Sequence, residues 1–131
     1  MASNNIVSDI PTSLELHWFV AVLLLESNFA ALSMPPSIDV QYRLIHATDS
    51  EAAYKRALEL GREAEHSYEN SEGEICVWSF KGLKDLQEVL DVELNDGTEI
   101  YGFTAVGSAT DHVVSKQKLT TFSFSNLVPD L

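Results

Sequence analysis

Between positions 18 and 25 the chain is apolar at every residue: Trp18, Phe19, Val20, Ala21, Val22, Leu23, Leu24 and Leu25. A β-strand sends alternate side chains to opposite faces. Trp18, Val20, Val22 and Leu24 therefore form one apolar set, and Phe19, Ala21, Leu23 and Leu25 the other, so such a strand must be covered on both sides. The run falls short of the about 20 residues that a helix needs to cross a bilayer. It also lacks the marks of a secretory signal. No Lys or Arg precedes it, Glu15 and Glu26 flank it, and no small-x-small cleavage site follows. The expectation is a buried strand over 14–25 in a soluble cytoplasmic protein with no membrane association. One face is to be covered by a helix and the other by a second subunit, which predicts a homodimer.

The pattern downstream supplies the rest of a small sheet. Residues 1–12 are polar, carry Pro11 and have no period, as in a loose arm. Pro35 and Pro36 mark a connection. Residues 38–47 then alternate, with Ile38, Val40, Tyr42 and Leu44 on one side and Asp39, Gln41 and Arg43 on the other, as in a half-buried antiparallel strand. Thr48 and Glu51 have capping-box spacing, with Thr48 as the N-cap. Ala53, Ala57, Leu60, Gly61, Ala64 and Tyr68 follow on one helical stripe. Small residues there let the helix lie close to a sheet, and Gly61 is explained by close packing.

A turn at 69–73 leads to a strand over 74–81, with Cys76, Trp78 and Phe80 on one face. Leu83, Leu86, Val89 and Leu90 have helical spacing, which predicts a helical turn over 84–90. Asn95-Asp96-Gly97 marks a turn, and residues 98–105 read as a fourth strand. The predicted fold is α+β: an antiparallel sheet of about four strands in the order strand, strand, helix, strand, strand, with one main helix on one face. The predicted organisation is an arm over 1–12, a single domain over 13–106, and a tail over 107–131 in which 119–124 form an edge strand.

A chain of 131 residues has room for one domain, and it buries enough surface to fold without disulfides or metal. Cys76 is the only cysteine, so an intrachain disulfide and a thiolate zinc site are both excluded. Twenty acidic residues against eight basic ones give a net charge of -12. That charge disfavours direct nucleic-acid binding, and it favours encounter with a basic protein.

No catalytic constellation emerges. The sequence lacks a nucleophile elbow, a phosphate-binding glycine loop and a dinucleotide fingerprint. Cys76 lies in a predicted strand beside Trp78 and Phe80 and reads as a small core hydrophobe. Glu63 and His66 have the Glu-x-x-His spacing of carboxylate-bridged bundles, with Glu59 on the same helical face. Those sites draw ligands from several helices, and only one long helix is predicted, so no metal or cofactor is assigned. His17, His46 and His112 have no ligand spacing. Acids are plentiful, but nothing selects a catalytic pair.

Several stretches resemble the bacterial "domain of unknown function 4288" family: residues 18–26, Asp49-Ser50-Glu51-Ala52-Ala53, Ala57-Leu58-Glu59-Leu60-Gly61, Tyr68-Glu69-Asn70, Trp78-Ser79-Phe80, Lys84-Asp85-Leu86-Gln87-Glu88, and residues 96–101. The likeness covers about residues 17–104. It implies a small bacterial domain and carries no catalytic residue with it.

Charge placement is the remaining signal. Glu59, Glu63, Glu65, Glu69, Glu72 and Glu74 cluster from the helix through the turn, and Asp85, Glu88, Asp91, Glu93, Asp96 and Glu99 form a second group. The expected function is a non-enzymatic protein-binding or regulatory domain. Its partner surface is predicted at Glu59, Glu63, Glu65, His66, Tyr68 and Glu69, facing a basic protein. An immunity-type inhibitor masking a basic nuclease or toxin is one alternative. A small-molecule-binding or enzymatic domain with an unrecognised site is the other.

Overall fold

A computed structural model describes residues 15–29, 35–91 and 93–127. The arm over 1–12 lies outside the described residues. Four strands and one main helix follow in the order β1 (His17–Phe29), β2 (Ile38–Ala47), α1 (Ser50–Ala64), β3 (His66–Glu69) and β4 (Ile75–Glu88). The strands form one antiparallel sheet in the spatial order β2-β1-β4-β3. The apolar run thus lies in an inner strand, between β2 and β4.

One face carries the core. Phe19, Ala21, Leu23 and Leu25 of β1 pack with Ile45 and Ala47 of β2 and with Ala53, Ala57 and Leu60 of α1. Phe80, Leu83 and Leu86 of β4 close over the same cluster. Small residues on α1 bring its backbone close to the sheet. A Cβ added to Gly61 would overlap the ring of Phe80, which explains a glycine in a helix interior where alanine is intrinsically better. The helix starts one residue later than its capping box implied. Asp49, not Thr48, is the N-cap, and its Oδ1 accepts the Ala52 N–H at 2.8 Å.

The other face of β1 is covered within the chain. Val20 and Val22 are almost completely buried. In the ladder Val22 stands between Tyr42 of β2 and Asp85 of β4. Tyr101 donates to Asp85 Oδ2 at 2.9 Å and meets the Tyr42 ring edge-on, with centroids 5.0 Å apart. The segment carrying Tyr101 therefore crosses over Val22, and the doubly apolar strand does not by itself call for a second subunit.

Three sequence-based expectations are corrected. Residues 84–88 continue β4 instead of starting a helical turn. The β4 register against β1 shifts twice, between Val22 and Leu23 and between Leu24 and Leu25, which leaves Lys84 and Lys81 as extra residues. Each bulge adds one residue to a two-residue repeat. Phe80, Leu83 and Leu86 therefore share the core face at intervals that imitate a helix.

Residues 98–105 form no ladder; the sheet's remaining strand is β3, in the stretch assigned to the end of the helix stripe and the turn. The Gln87 side chain substitutes for a neighbouring strand, donating to the Gly102 carbonyl at 2.7 Å and accepting the Gly102 N–H at 3.5 Å. In the tail, the stretch expected as an edge strand is helical, as α2 (Thr120–Leu127).

Candidate functional site

The acids predicted to face a partner separate into distinct environments. Glu59 and Glu63 are exposed on α1, where Arg56 lies between them, 3.2 Å from Glu59 and 3.6 Å from Glu63. Exposed pairs of this kind bind weakly and leave both carboxylates available to another cation. Glu65 leaves the helix with φ -63° and ψ 136°, and its Oε2 accepts the Phe80 N–H at 2.9 Å. That carboxylate is occupied by the edge of β4 just beyond the end of β3, so its role is to hold the helix terminus to the sheet.

The Glu63-x-x-His66 spacing does not survive as a helical pair, because His66 belongs to β3. His66 Nδ1 lies 2.9 Å from the Ala64 carbonyl, an acceptor, which puts the ring proton on Nδ1. Among the described residues no group of three His, Cys, Asp or Glu side chains is arranged to hold a metal ion.

Strand β3 builds an aromatic ledge in its place. His66 lies opposite Trp78 and Tyr68 opposite Cys76. The His66 ring is 6.4 Å from both the Tyr68 and Trp78 rings, within about 20° of parallel to each. Tyr68 is 46% exposed, whereas Cys76 beneath it is fully buried. Hydrogen bonding with the Cys76 thiol, helped by partial burial, raises the Tyr68 phenol above its ordinary pKa. Beside the ledge is a shallow depression of about 320 Å³ lined by Glu65, His66, Ser67, Val77, Trp78 and Ser79.

Strand alternation sends Glu69 to the opposite face, where it pairs with Ile75. Glu69 is thus separated from His66 and Tyr68. Trp78, which the sequence pattern sets on one strand face with Cys76 and Phe80, joins this surface. It touches the core cluster and is also partly exposed to the ledge. Asn70 holds the turn below, its Oδ1 accepting the Glu72 and Glu74 N–H groups at 2.9 Å each.

The second acidic group has a different construction. Asp85 accepts from Leu86 N–H at 2.8 Å, from the Gln87 carboxamide at 3.0 Å and from the Tyr101 hydroxyl at 2.9 Å. Gln87 first, then Tyr101 and the Leu86 amide, hold its pKa below the usual carboxylate value. The same contact, donation to Asp85, raises the Tyr101 phenol. Glu88 lies 3.4 Å from His17. A polar cleft of about 460 Å³ opens beside them, with Glu88, Asp91, Glu99, Tyr101 and Phe103 among its walls. It is open and acidic, and Asp85 is committed to holding the loop in place.

No curated protein and no solved structure matches this chain. No helix among the described residues is long and apolar enough to cross a membrane. Residues 18–102 match the family described as "Domain of unknown function (DUF4288)". This match spans all four strands and the main helix, and the chain is a member of that family.

Proposed function

We propose that this domain is a cytoplasmic, non-enzymatic binding protein that engages a basic protein through the α1–β3 surface. The observation that carries this is the ledge of His66, Tyr68 and Trp78, an exposed aromatic row that follows directly on the acidic end of α1. Aromatic side chains anchor protein interfaces when they are desolvated at the centre of the contact. Carboxylates such as Glu59 and Glu63 steer a cationic partner toward them. The net charge of -12 extends that attraction over the whole chain. Masking of a basic nuclease or toxin is the special case in which the partner's own activity falls as it binds.

The test is capture from native lysate at low ionic strength, with elution by salt, comparing the natural chain with Glu59→Lys/Glu63→Lys. A basic protein retained by the first and lost from the second supports the proposed surface. Equal capture by both places the partner elsewhere.

A further inference from the structure

We infer that two copies of this chain pair through the outer edges of their β2 strands, antiparallel and in one defined register, to make a continuous eight-stranded sheet. Strand β2 lies at the end of the sheet and runs for 10 residues with an unbroken register against β1. Among the described residues nothing hydrogen-bonds to its outer edge. Edge strands that avoid pairing carry proline, lysine, bulges or inward charges. From Ile38 to Ala47 there is no proline, lysine or bulge; the charges present, Asp39 and Arg43 on the face that carries Leu25 and Ala21, are of opposite sign and cancel, on a chain whose net charge is -12. Its apolar residues Ile38, Val40, Tyr42 and Leu44 are 43% to 65% exposed.

The direction of the free backbone groups follows from the ladder. Ser27 N–H donates to the Ser37 carbonyl at 2.9 Å, and Trp18 on the other side of β1 accepts from Val89 N–H at 2.8 Å. Ser27 and Ser37 are thus a hydrogen-bonded pair, and alternation along the ladder turns Asp39, Gln41 and Arg43 toward β1. Ile38, Val40, Tyr42 and Leu44 point their N–H and C=O groups outward.

A two-fold axis at Gln41 uses those groups. Val40 then exchanges hydrogen bonds with the second copy's Tyr42, and Ile38 with its Leu44. Gln41 meets itself, and Asp39 lies opposite the second copy's Arg43 at a non-hydrogen-bonded pair, where side chains are closest. Within one chain the Gln41 amide already donates to Asp39 at 2.8 Å and accepts from Arg43 at 3.1 Å. Those contacts align the three side chains as a polar row that is its own antiparallel complement. A two-fold axis at Asp39 would oppose Asp39 with itself, and one at Arg43 would oppose two arginines. Axes at Val40 or Tyr42 use the same outward groups but set Gln41 against Asp39 or Arg43 alone, so the Gln41 axis is the one that matches both charges with their opposites, and it takes a second copy as the occupant.

The test uses the full chain. Light scattering should give twice the 14.5 kDa chain mass. Asp39→Arg and Arg43→Asp should each raise the dimer dissociation constant about tenfold or more, since each reversal makes both symmetry-related pairs repulsive. The double variant Asp39→Arg/Arg43→Asp should restore dimerisation. Gln41→Cys should give a disulfide-linked dimer under mild oxidation, because a non-hydrogen-bonded pair has its Cα atoms about 4.5 Å apart. Asp39→Cys should not, with its thiols four residues out of register. A monomer, its β2 edge covered by the chain's own residues or left to another protein's strand, overturns the inference. So does a dimer indifferent to both single reversals. Loss of the β2 dimer leaves the proposed α1–β3 surface untouched, and the converse also holds.

Discussion

The hydroxyl of Tyr101 donates to Asp85 Oδ2 at 2.9 Å, joining residues 16 apart in sequence and helping to fix a segment that joins no ladder across the second face of the sheet. The bond depends on a charged acceptor and a neutral donor, so both ends of the pH scale affect it. Asp85 has a lowered folded pKa, so its contribution to stability is present above the ordinary carboxylate value and is lost as pH falls through the lowered one. Tyr101 has a raised pKa, so its contribution is present below the ordinary phenol value and is lost as pH rises through the raised one.

Tyr101→Phe should therefore remove one late-titrating phenol from the ultraviolet tyrosinate titration, while Tyr68 remains the other raised phenol. It should also speed amide exchange at Gly102, whose peptide group is held by Gln87 beside the same carboxylate. If the phenol lost is instead one that titrates in the ordinary range, Tyr101 does not stay on Asp85 in solution.

Gly61→Ala sets helix propensity against packing. Alanine gains about 1 kcal/mol in a helix interior, but the added methyl overlaps the Phe80 ring. Overpacking of this kind costs about 1–3 kcal/mol, so urea denaturation should show a net loss. Phe80→Leu in the same chain should recover part of it.

At the start of α1, Asp49→Ala should cost about 1 kcal/mol, because the Ala52 N–H loses its acceptor. Thr48→Ala should cost much less, as Thr48 is not the cap residue. Comparable losses in chemical denaturation would instead restore Thr48 to the role that its spacing implied.

Ser27 is the buried polar residue of β1; its Oγ accepts the Ser37 N–H at 2.8 Å and lies 3.4 Å from the Ser37 carbonyl. Ser27→Ala leaves the Ser37 amide without that acceptor at the entry to β2. The expected cost is about 1–3 kcal/mol, with faster amide exchange at Ser37 as the local sign.

Much of this architecture was readable where the periodicity was local and uninterrupted. β1 and the buried stripe of α1 each follow one period, and their expected faces agree with the structure. β2 also follows one period, but its apolar set Ile38, Val40, Tyr42 and Leu44 is the exposed one, while Asp39, Gln41 and Arg43 share the helix-covered face with Ile45 and Ala47. The far half of β4 was misread because its two bulges place Phe80, Leu83 and Leu86 three apart. Tyr68 was read as helical since it continued the α1 stripe; the chain instead turns at Glu65, whose carboxylate finds the Phe80 amide 15 residues away. Neither the helical nor the strand period links these two partners. The candidate surface was legible as an acidic, aromatic neighbourhood. That Glu69 faces away and that Trp78 joins the ledge both follow from the β3–β4 register, a tertiary fact.

The central claim is that the ledge anchors a basic protein. Its most direct test is calorimetric titration of the salt-eluted partner into the natural chain and into Tyr68→Ala, with circular dichroism confirming that both are folded. We predict at least tenfold weaker binding by Tyr68→Ala, and affinity for the natural chain that falls steeply with added salt. Equal affinities for the two chains would contradict the claim.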